Sequence, residues 1–503
     1  MTLTRSVPMP WLAALALAAA CSLSSAARAE TLSAEQAVGR AASQNPTLRA
    51  ALLEAAAARQ AVAAEQGARK PVLSASVTGR YAETLGGTDA DATRTVDKSV
   101  ASSVALQYTT DVGTALEVGA STGTSWRTIA GGPIASGTFG PNYDAEAHVS
   151  ARQPLLRGAG TDAQLAPVVA AQASAVAAER DRDLAASQTA LDVLGAYWEL
   201  WYAEQAIAVQ EQALAAAQRQ LADARARAEV VGTGTRVDVL QFSTTAASIA
   251  DALSQARASR AAKAIELGRA LGMSPEQAAS LAPTGEPPSL GAVPTAAALT
   301  RAMSERSQEL AALRADLEAQ RARLRAAEDA DQVRLDLFAT ASVGTLWVNE
   351  PATGLSLQGG RPAFGVLGGI DLELPFGGGR ASAEAARART QLAAAEARYQ
   401  ARADAIAAQM SSLRVSLVAA ADQVALAVEA ARMAGELAEA ERQRLKLGIA
   451  TSSDVVQAEQ TLREAELRRL RAVVTALTSR FELDHAAGAL LERFASVLSR
   501  RSS

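Results

Sequence analysis

Cysteine is nearly absent from this chain: Cys21 is the only one in 503 residues. A single thiol makes no internal disulfide and no thiolate metal cluster. Histidine is almost as scarce. His148 and His485 lie far apart in sequence and in different element types, so no His/Cys ligand set can be assembled. Neither a nucleophile elbow nor a Walker motif is present. Gly377-Gly378-Gly379 stands before a helical run but lacks the Lys-Ser/Thr pair of a phosphate loop, and reads as a strand-to-helix turn. No enzyme active site, metal or cofactor is therefore expected. Aromatic residues make up only 4%, although 49% of the chain is hydrophobic. Ala carries much of that share, which favours close helix–helix contact over a bulky core. A net charge of -4 gives no basic face for nucleic acid. Beyond the N-terminal region no run of eighteen apolar residues occurs, so any membrane crossing must use β-strands.

The N-terminus reads as an export signal over residues 1–29. Arg5 supplies the positive region, Trp11 to Ala20 is an apolar run too short to span a bilayer, and Ala27-Arg28-Ala29 offers a cleavage site. Cleavage there makes Glu30 the first mature residue and removes the cysteine. The alternative is lipidation of Cys21, although Ala18-Ala19-Ala20-Cys21 lacks the Leu usual at the first position of a lipoprotein box.

What is present is a repeat. Gly232-Thr233-Gly234-Thr235-Arg236-Val237-Asp238-Val239-Leu240-Gln241 matches Gly448-Ile449-Ala450-Thr451-Ser452-Ser453-Asp454-Val455-Val456-Gln457, and Asp238 and Asp454 lie 216 positions apart. Each copy breaks a very long Ala-rich helical run from a second helix. The chain thus divides into a first repeat over 30–282, a Pro/Gly linker over 283–294, a second repeat over 295–491 and a polar tail over 492–503.

Within the first repeat, Leu32 to Ala68 is helical in pattern with a break at Asn45-Pro46. From Val72 to Pro154 the period changes to two, and four strands are expected over 72–81, 100–108, 115–126 and 143–153. Thr84 to Asp97 and Thr128 to Tyr143 read as loops. Thr161 to Val231 is one long helix with a seam at Leu184, Leu191, Leu194, Trp198 and Trp201, and Asp238 to Leu271 is another helix. The second repeat follows the same order: a helix over 296–331, strands over 335–348 and 363–374, a long helix over 381–447, and a last helix from Ser453 to about Gly488. Tyr399, Ile406, Met410, Leu413, Leu417 and Val424 form one seam; Leu470, Val474, Leu477 and Phe481 form the other. A helix of about 65 residues is about 100 Å long, which suits lateral packing in a coiled coil or a tube wall. Tyr81, Tyr108, Trp126 and Trp347 fall on or near strand ends, either as an interfacial aromatic belt or as ordinary strand packing.

The repeated Gly-x5-Asp-Val turn, the long helices on both sides of it, and the Pro-Leu/Phe-x-Gly segment closing each β region together resemble the TolC-type outer-membrane efflux proteins, over about Thr31 to Leu490. The resemblance implies a mainly α fold with a β-barrel portion: a tandem-duplicated helical tunnel plus transmembrane strands in one barrel shared by a homotrimer. It implies a passive exit duct in outer-membrane lipid with a long periplasmic extension. A periplasmic adaptor and an inner-membrane pump or ABC exporter would dock at the tunnel's far end. It also implies a periplasmic gate. Asp454 matches an acidic ring position, Gln457 falls where some members carry a second acid, and Asp238 matches a residue that holds the gate shut. Ala450 and Leu445 stand where some members have Arg and an aromatic, and Arg236 is placed to supply the missing cation. Gly232, Gly234, Gly448 and Thr451 are the expected adaptor-contact turns. The residues alone offer a plainer role for Asp454, the capping of a helix that begins at Ser452. The family pattern has two strands per half, whereas the first half here reads as four; either the barrel has extra strands or the middle hairpin lies outside it. A soluble periplasmic coiled-coil scaffold or adaptor without channel activity is the rival reading.

Overall fold

A computed structural model describes residues 30–87, 92–131, 136–228, 236–348, 361–374 and 379–499. The leader with Cys21, and Gly232, Gly234, Gly377 and Gly378, lie outside the described residues. The chain forms two compact units. One gathers residues 1–53, 180–310 and 402–503; the other gathers residues 54–179 and 311–401.

In chain order the elements of the first repeat are β1 (Glu30–Leu32), α1 (Ala34–Gln44), α2 (Pro46–Gly67), β2 (Val72–Gly86), β3 (Thr93–Thr109), β4 (Ala115–Ala130), β5 (Gly137–Pro154), α3 (Thr161–Ala226), α4 (Arg236–Leu271), α5 (Pro275–Ala278) and β6 (Leu281–Pro283). The second repeat supplies α6 (Ala296–Arg306), α7 (Gln308–Ala330), β7 (Arg334–Val348), β8 (Arg361–Glu373), α8 (Arg380–Lys446), α9 (Ser452–Ala486) and α10 (Leu490–Ser499). The expected break at Asn45 is present. Its backbone leaves the helical region there, and its side-chain amide donates to the Ala270 carbonyl, which joins the end of α1 to α4.

The first unit is built on a core where α1, α3, α4 and α9 meet, with Leu32, Val38, Leu194, Trp198, Leu267, Phe481 and Phe494 buried in it. Two of the three seams read from the sequence contribute: Leu194 and Trp198 from one, Val474, Leu477 and Phe481 from another. The largest fully buried side chain is Tyr197, one residue off the expected seam. Its hydroxyl donates to the Thr284 carbonyl (2.6 Å) and lies 3.1 Å from the Leu32 carbonyl, so it fixes the short β1–β6 ribbon to α3. Arg480 reaches the Leu290 and Ala292 carbonyls and so holds the inter-repeat linker against α9. Tyr202 lies under the Arg471 guanidinium at 4.2 Å.

The second unit carries one antiparallel sheet of six strands in the order β2-β3-β4-β5-β7-β8. All four strands expected in the first repeat, β2 to β5, enter it beside the two of the second, while β1 and β6 pair apart. The strands are longer than expected: much of 84–97 and 128–143, read above as loops, is ladder. Gly, Asp and Arg in those segments are weak strand formers, but cross-strand ion pairs offset that weakness. Arg94 pairs with Glu83 at 2.6 Å and Arg127 with Asp97 at 2.7 Å. Only Thr110 to Thr114 turns the chain between β3 and β4, with Gly113 at φ 92. A Cβ at Gly113 would fall 2.3 Å from the Gly158 carbonyl oxygen, so both conformation and space demand glycine there.

Candidate functional site

Two features stand out, a sheet face and a pair of turns. Cross-strand partners share a face, and the register therefore sorts the sheet. One face carries Leu73, Val77 and Tyr81 on β2; Tyr108, Leu106, Val104 and Val100 on β3; Leu116, Val118 and Trp126 on β4; Val149 and Tyr143 on β5; Leu337 and Val343 on β7; and Leu372, Ile370, Val366 and Phe364 on β8. Most of these apolar side chains are exposed, Val366 to 88% and Phe364 to 79%. Among the described residues no charge stands on this face between Tyr108 at its lower edge and the Tyr81–Lys98–Trp126 row at its upper edge. The Glu83–Arg94 pair lies just beyond that row.

The opposite face is polar. Gln107 and His148 both bond the Glu117 carboxylate at 3.1 Å. At its lower end Asp336, buried, accepts from Arg334 (2.8 Å) and Arg152 (3.1 Å), and Arg152 also reaches Asp371 at 2.7 Å. Alternation over one strand suggests this sorting only loosely, because Ser102 sits on the apolar face beside Val100 and Val104. The register across six strands makes it plain.

At the second turn α8 ends in a Schellman arrangement. The Ile449 N–H bonds the Arg444 carbonyl at 3.0 Å, the Gly448 N–H bonds the Leu445 carbonyl at 3.1 Å, and Gly448 has φ 78. A Cβ on Gly448 would meet nothing within 4 Å, so its backbone angle alone requires glycine. Leu447 and Ile449 beside it are exposed. The next helix is capped, but not as expected. Thr451, rather than Asp454, is the N-cap residue, and Asp454 is its partner three residues on. The Asp454 carboxylate accepts from the Thr451 N–H and hydroxyl, each at 2.8 Å, while Thr451 Oγ1 accepts from the Asp454 N–H at 3.3 Å. The Thr451 backbone and side-chain bonds, with Arg444 nearby, hold the Asp454 carboxyl below its ordinary pKa. Asp454 and Gln457 are exposed.

The starts of α4 and α9 meet through a residue that sequence reasoning passed over. Buried Ser452 donates from its hydroxyl to Asp238 Oδ1 at 2.6 Å. This bond joins the two repeats within their matching segments, where Asp238 is the counterpart of Asp454 and Ser452 that of Arg236, through the carboxylate expected to act in closure. Arg236 is exposed and makes no ion pair among the described residues. Farther along the helices, Glu459 on α9 accepts from Arg442 of α8 (2.5 Å) and Gln220 of α3 (3.2 Å). Glu459 raises the Arg442 pKa further, and the pair ties three helices together. Nothing in the sequence marked it, because Arg and Glu recur at surface spacing along all these helices.

A six-stranded sheet with one exposed apolar face, joined to duplicated pairs of very long helices, defines a channel of the kind held in a membrane by strands. A sequence profile of the outer membrane efflux protein family matches residues 110–273 and 299–489, and the chain belongs to that family. It is accordingly an outer-membrane efflux channel, as the resemblance implied. Solved structures share its fold. VceC from Vibrio cholerae is 18% identical, with TM-score 0.65 over 90% of this chain and 96% of its own. The outer-membrane channel CmeC from Campylobacter jejuni is 13% identical, with TM-score 0.67 over 92% and 89%. The MtrE outer-membrane channel from Neisseria gonorrhoeae, described in an open state, is 18% identical, with TM-score 0.62 over 91% and 89%. Curated protein sequences yielded no match.

Proposed function

We propose that this chain is the passive outer-membrane exit duct of a tripartite efflux or type I secretion system. Three copies share one barrel, and their helices extend into the periplasm as a tunnel. The observation that carries this reading is the exposed apolar face with its charge-free band. Its height, nine residues on β3 from Tyr108 to Val100, is about 30 Å along a strand, or about 23 Å once tilted, close to the apolar band of outer-membrane barrels. The polar face would line the lumen. Val415, Leu426, Met433 and Leu437 on α8 are exposed apolar residues that neighbouring copies would cover. They also explain why α8 contains a stretch apolar and long enough to cross a bilayer although little of it is buried. Charged and polar residues interrupt that stretch, so it is compatible with the expectation that no unbroken run of eighteen apolar residues occurs.

At the far end Asp454 would form a threefold carboxylate ring that favours cations. Asp238, with Ser452, would hold the resting gate, and Arg236 and Gln457 would face neighbouring copies there. Gly448 and Thr451 shape the second turn, and a periplasmic adaptor would engage it together with the segment of Gly232 and Gly234, with Leu447 and Ile449 as its apolar contacts. An inner-membrane pump or ABC exporter would supply the energy. Detergent extraction of outer membranes tests the assembly: heat-resistant trimers are expected, and a monomer released into the soluble periplasmic fraction would rule it out.

A further inference from the structure

The number of strands around the barrel follows from the sheet, given the trimeric reading above. The second repeat has one hairpin, β7–β8, between α7 and α8, whereas the first has two, β2–β3 and β4–β5, between α2 and α3. The family profile begins at residue 110, after β2 and β3. This extra hairpin is not an appendage. It continues the ladder without a register break, and it repeats the sorting of its neighbours, with Leu73, Val77, Tyr81, Val100 and Val104 on the apolar face.

The strand ends also step in a regular way. β2 begins at Val72, in the row Val72–Gln107–Glu117–Ser150–Thr340–Leu367. From Leu367, β8 runs on to Glu373, six residues lower. The upper aromatic residues step by the same amount. Tyr81 and Trp126 share one row, while Phe364 lies in the row of Val343, Ala147 and Ala120, six residues below Trp126 on β4. A drop of six residues over five strand spacings is a strand tilt of about 40°, within the range of membrane barrels. Both ends of the sheet therefore follow one inclined membrane band, and β2 and β3 lie inside it.

We propose that three copies close by pairing β2 of one protomer with β8 of the next. Three six-stranded sheets then make a barrel of eighteen strands. Each sheet has an even number of strands, so β2 and β8 run in opposite directions and the closed barrel is antiparallel throughout. The apolar face uses odd positions on β2 and even positions on β8, so only an even stagger keeps lipid-facing residues together. The observed slope extended by one spacing gives about seven residues, which leaves six or eight. Val77 then lies opposite Gly368 or Ile370 of the neighbouring copy. Eighteen strands at that tilt enclose a barrel about 36 Å across the backbone, against about 24 Å for twelve.

Cysteine pairs in the full chain test this. The variants are Val77→Cys with Gly368→Cys, and Val77→Cys with Ile370→Cys; a Cβ at Gly368 meets only ordinary contacts. Heat-resistant trimers are isolated first, then oxidised and denatured without reductant. Covalent dimers and trimers from at least one pair, absent from the single variants, are the expected result. Cross-linking of Thr122→Cys on β4 with Val366→Cys on β8 of another copy would instead mean closure without β2 and β3, and would overturn the proposal. Imaging the trimer in lipid nanodiscs gives a second reading: eighteen strands in cross-section support it, and twelve refute it. Failure to form trimers before oxidation would remove the channel reading itself, an outcome distinct from trimers that close on β4.

Discussion

Asp454 combines a local role with a proposed collective one, and two substitutions separate them. Asn retains an acceptor for the Thr451 N–H but carries no charge; Ala removes both. If the ring acts electrostatically, D454N and D454A should both weaken cation preference and relieve block by multivalent cations in single-channel recordings. Loss with Ala alone would leave only the cap. The cap's share of stability has a defined pH sense. The Asp454 pKa is held below its ordinary value, so this contribution is present above the unfolded carboxylate range and is lost as pH falls through the folded value. His485 acts in another window. Burial lowers its pKa, against opposing pulls from Asp192 and Glu309, and its Nδ1 sits 2.7 Å from Ser187 Oγ. Below about pH 6.5 the unfolded chain takes up a proton that the folded imidazole resists, so stability should fall with acidification there. H485Q should flatten the decline in trimer melting temperature between pH 8 and pH 5.5, and an unchanged slope would assign it to other groups. At Gly448, G448V should cost roughly 1–2 kcal/mol in thermal unfolding, because φ 78 is left-handed.

At the scale of elements, the two faces of the sheet make opposite forecasts for neighbouring residues. Val104 and Ser103 are adjacent on β3 and point to opposite sides. V104R should cost about 2–4 kcal/mol in folding into lipid vesicles and reduce trimer yield, whereas S103R on the polar face should assemble nearly normally. Equal tolerance of both would remove the lipid-facing assignment. In the first unit, Y197F should cost about 1 kcal/mol by releasing the Thr284 and Leu32 carbonyls from a buried hydroxyl. Much of this organisation was legible in the chain. Long Ala-rich runs, the break at Asn45 and the repeated turn located the long helices, and period-two stretches located the six strands of the sheet, whereas the short β1, β6, α5 and α10 and the break at Ser307 were not read. Strand ends were not legible, since Arg94 and Asp97 read as loop until their partners were known. The capping residue was misplaced by three positions because Thr451, Ser452, Ser453 and Asp454 are all good N-cap types. The Ser452–Asp238 and Arg442–Glu459 contacts could not be read, because each joins segments whose proximity only the fold determines.

For the whole molecule, duplication accounts for the order of the elements, and the unequal hairpins for its asymmetry. Two repeats bring their matching segments together at Asp238 and Ser452, so the proposed gate is a junction between copies of one unit within each chain. The first repeat departs from the second by a hairpin, and that departure sets the proposed width of the barrel. The central claim is that the apolar sheet face lies in lipid and the polar face surrounds an aqueous path. Planar-bilayer recording of purified trimers tests it most directly. The account predicts discrete cation-selective conductance steps that multivalent cations block from the side bearing the Asp454 turn. A purified protein that stays monomeric and water-soluble, and adds no conductance to the bilayer, would contradict it.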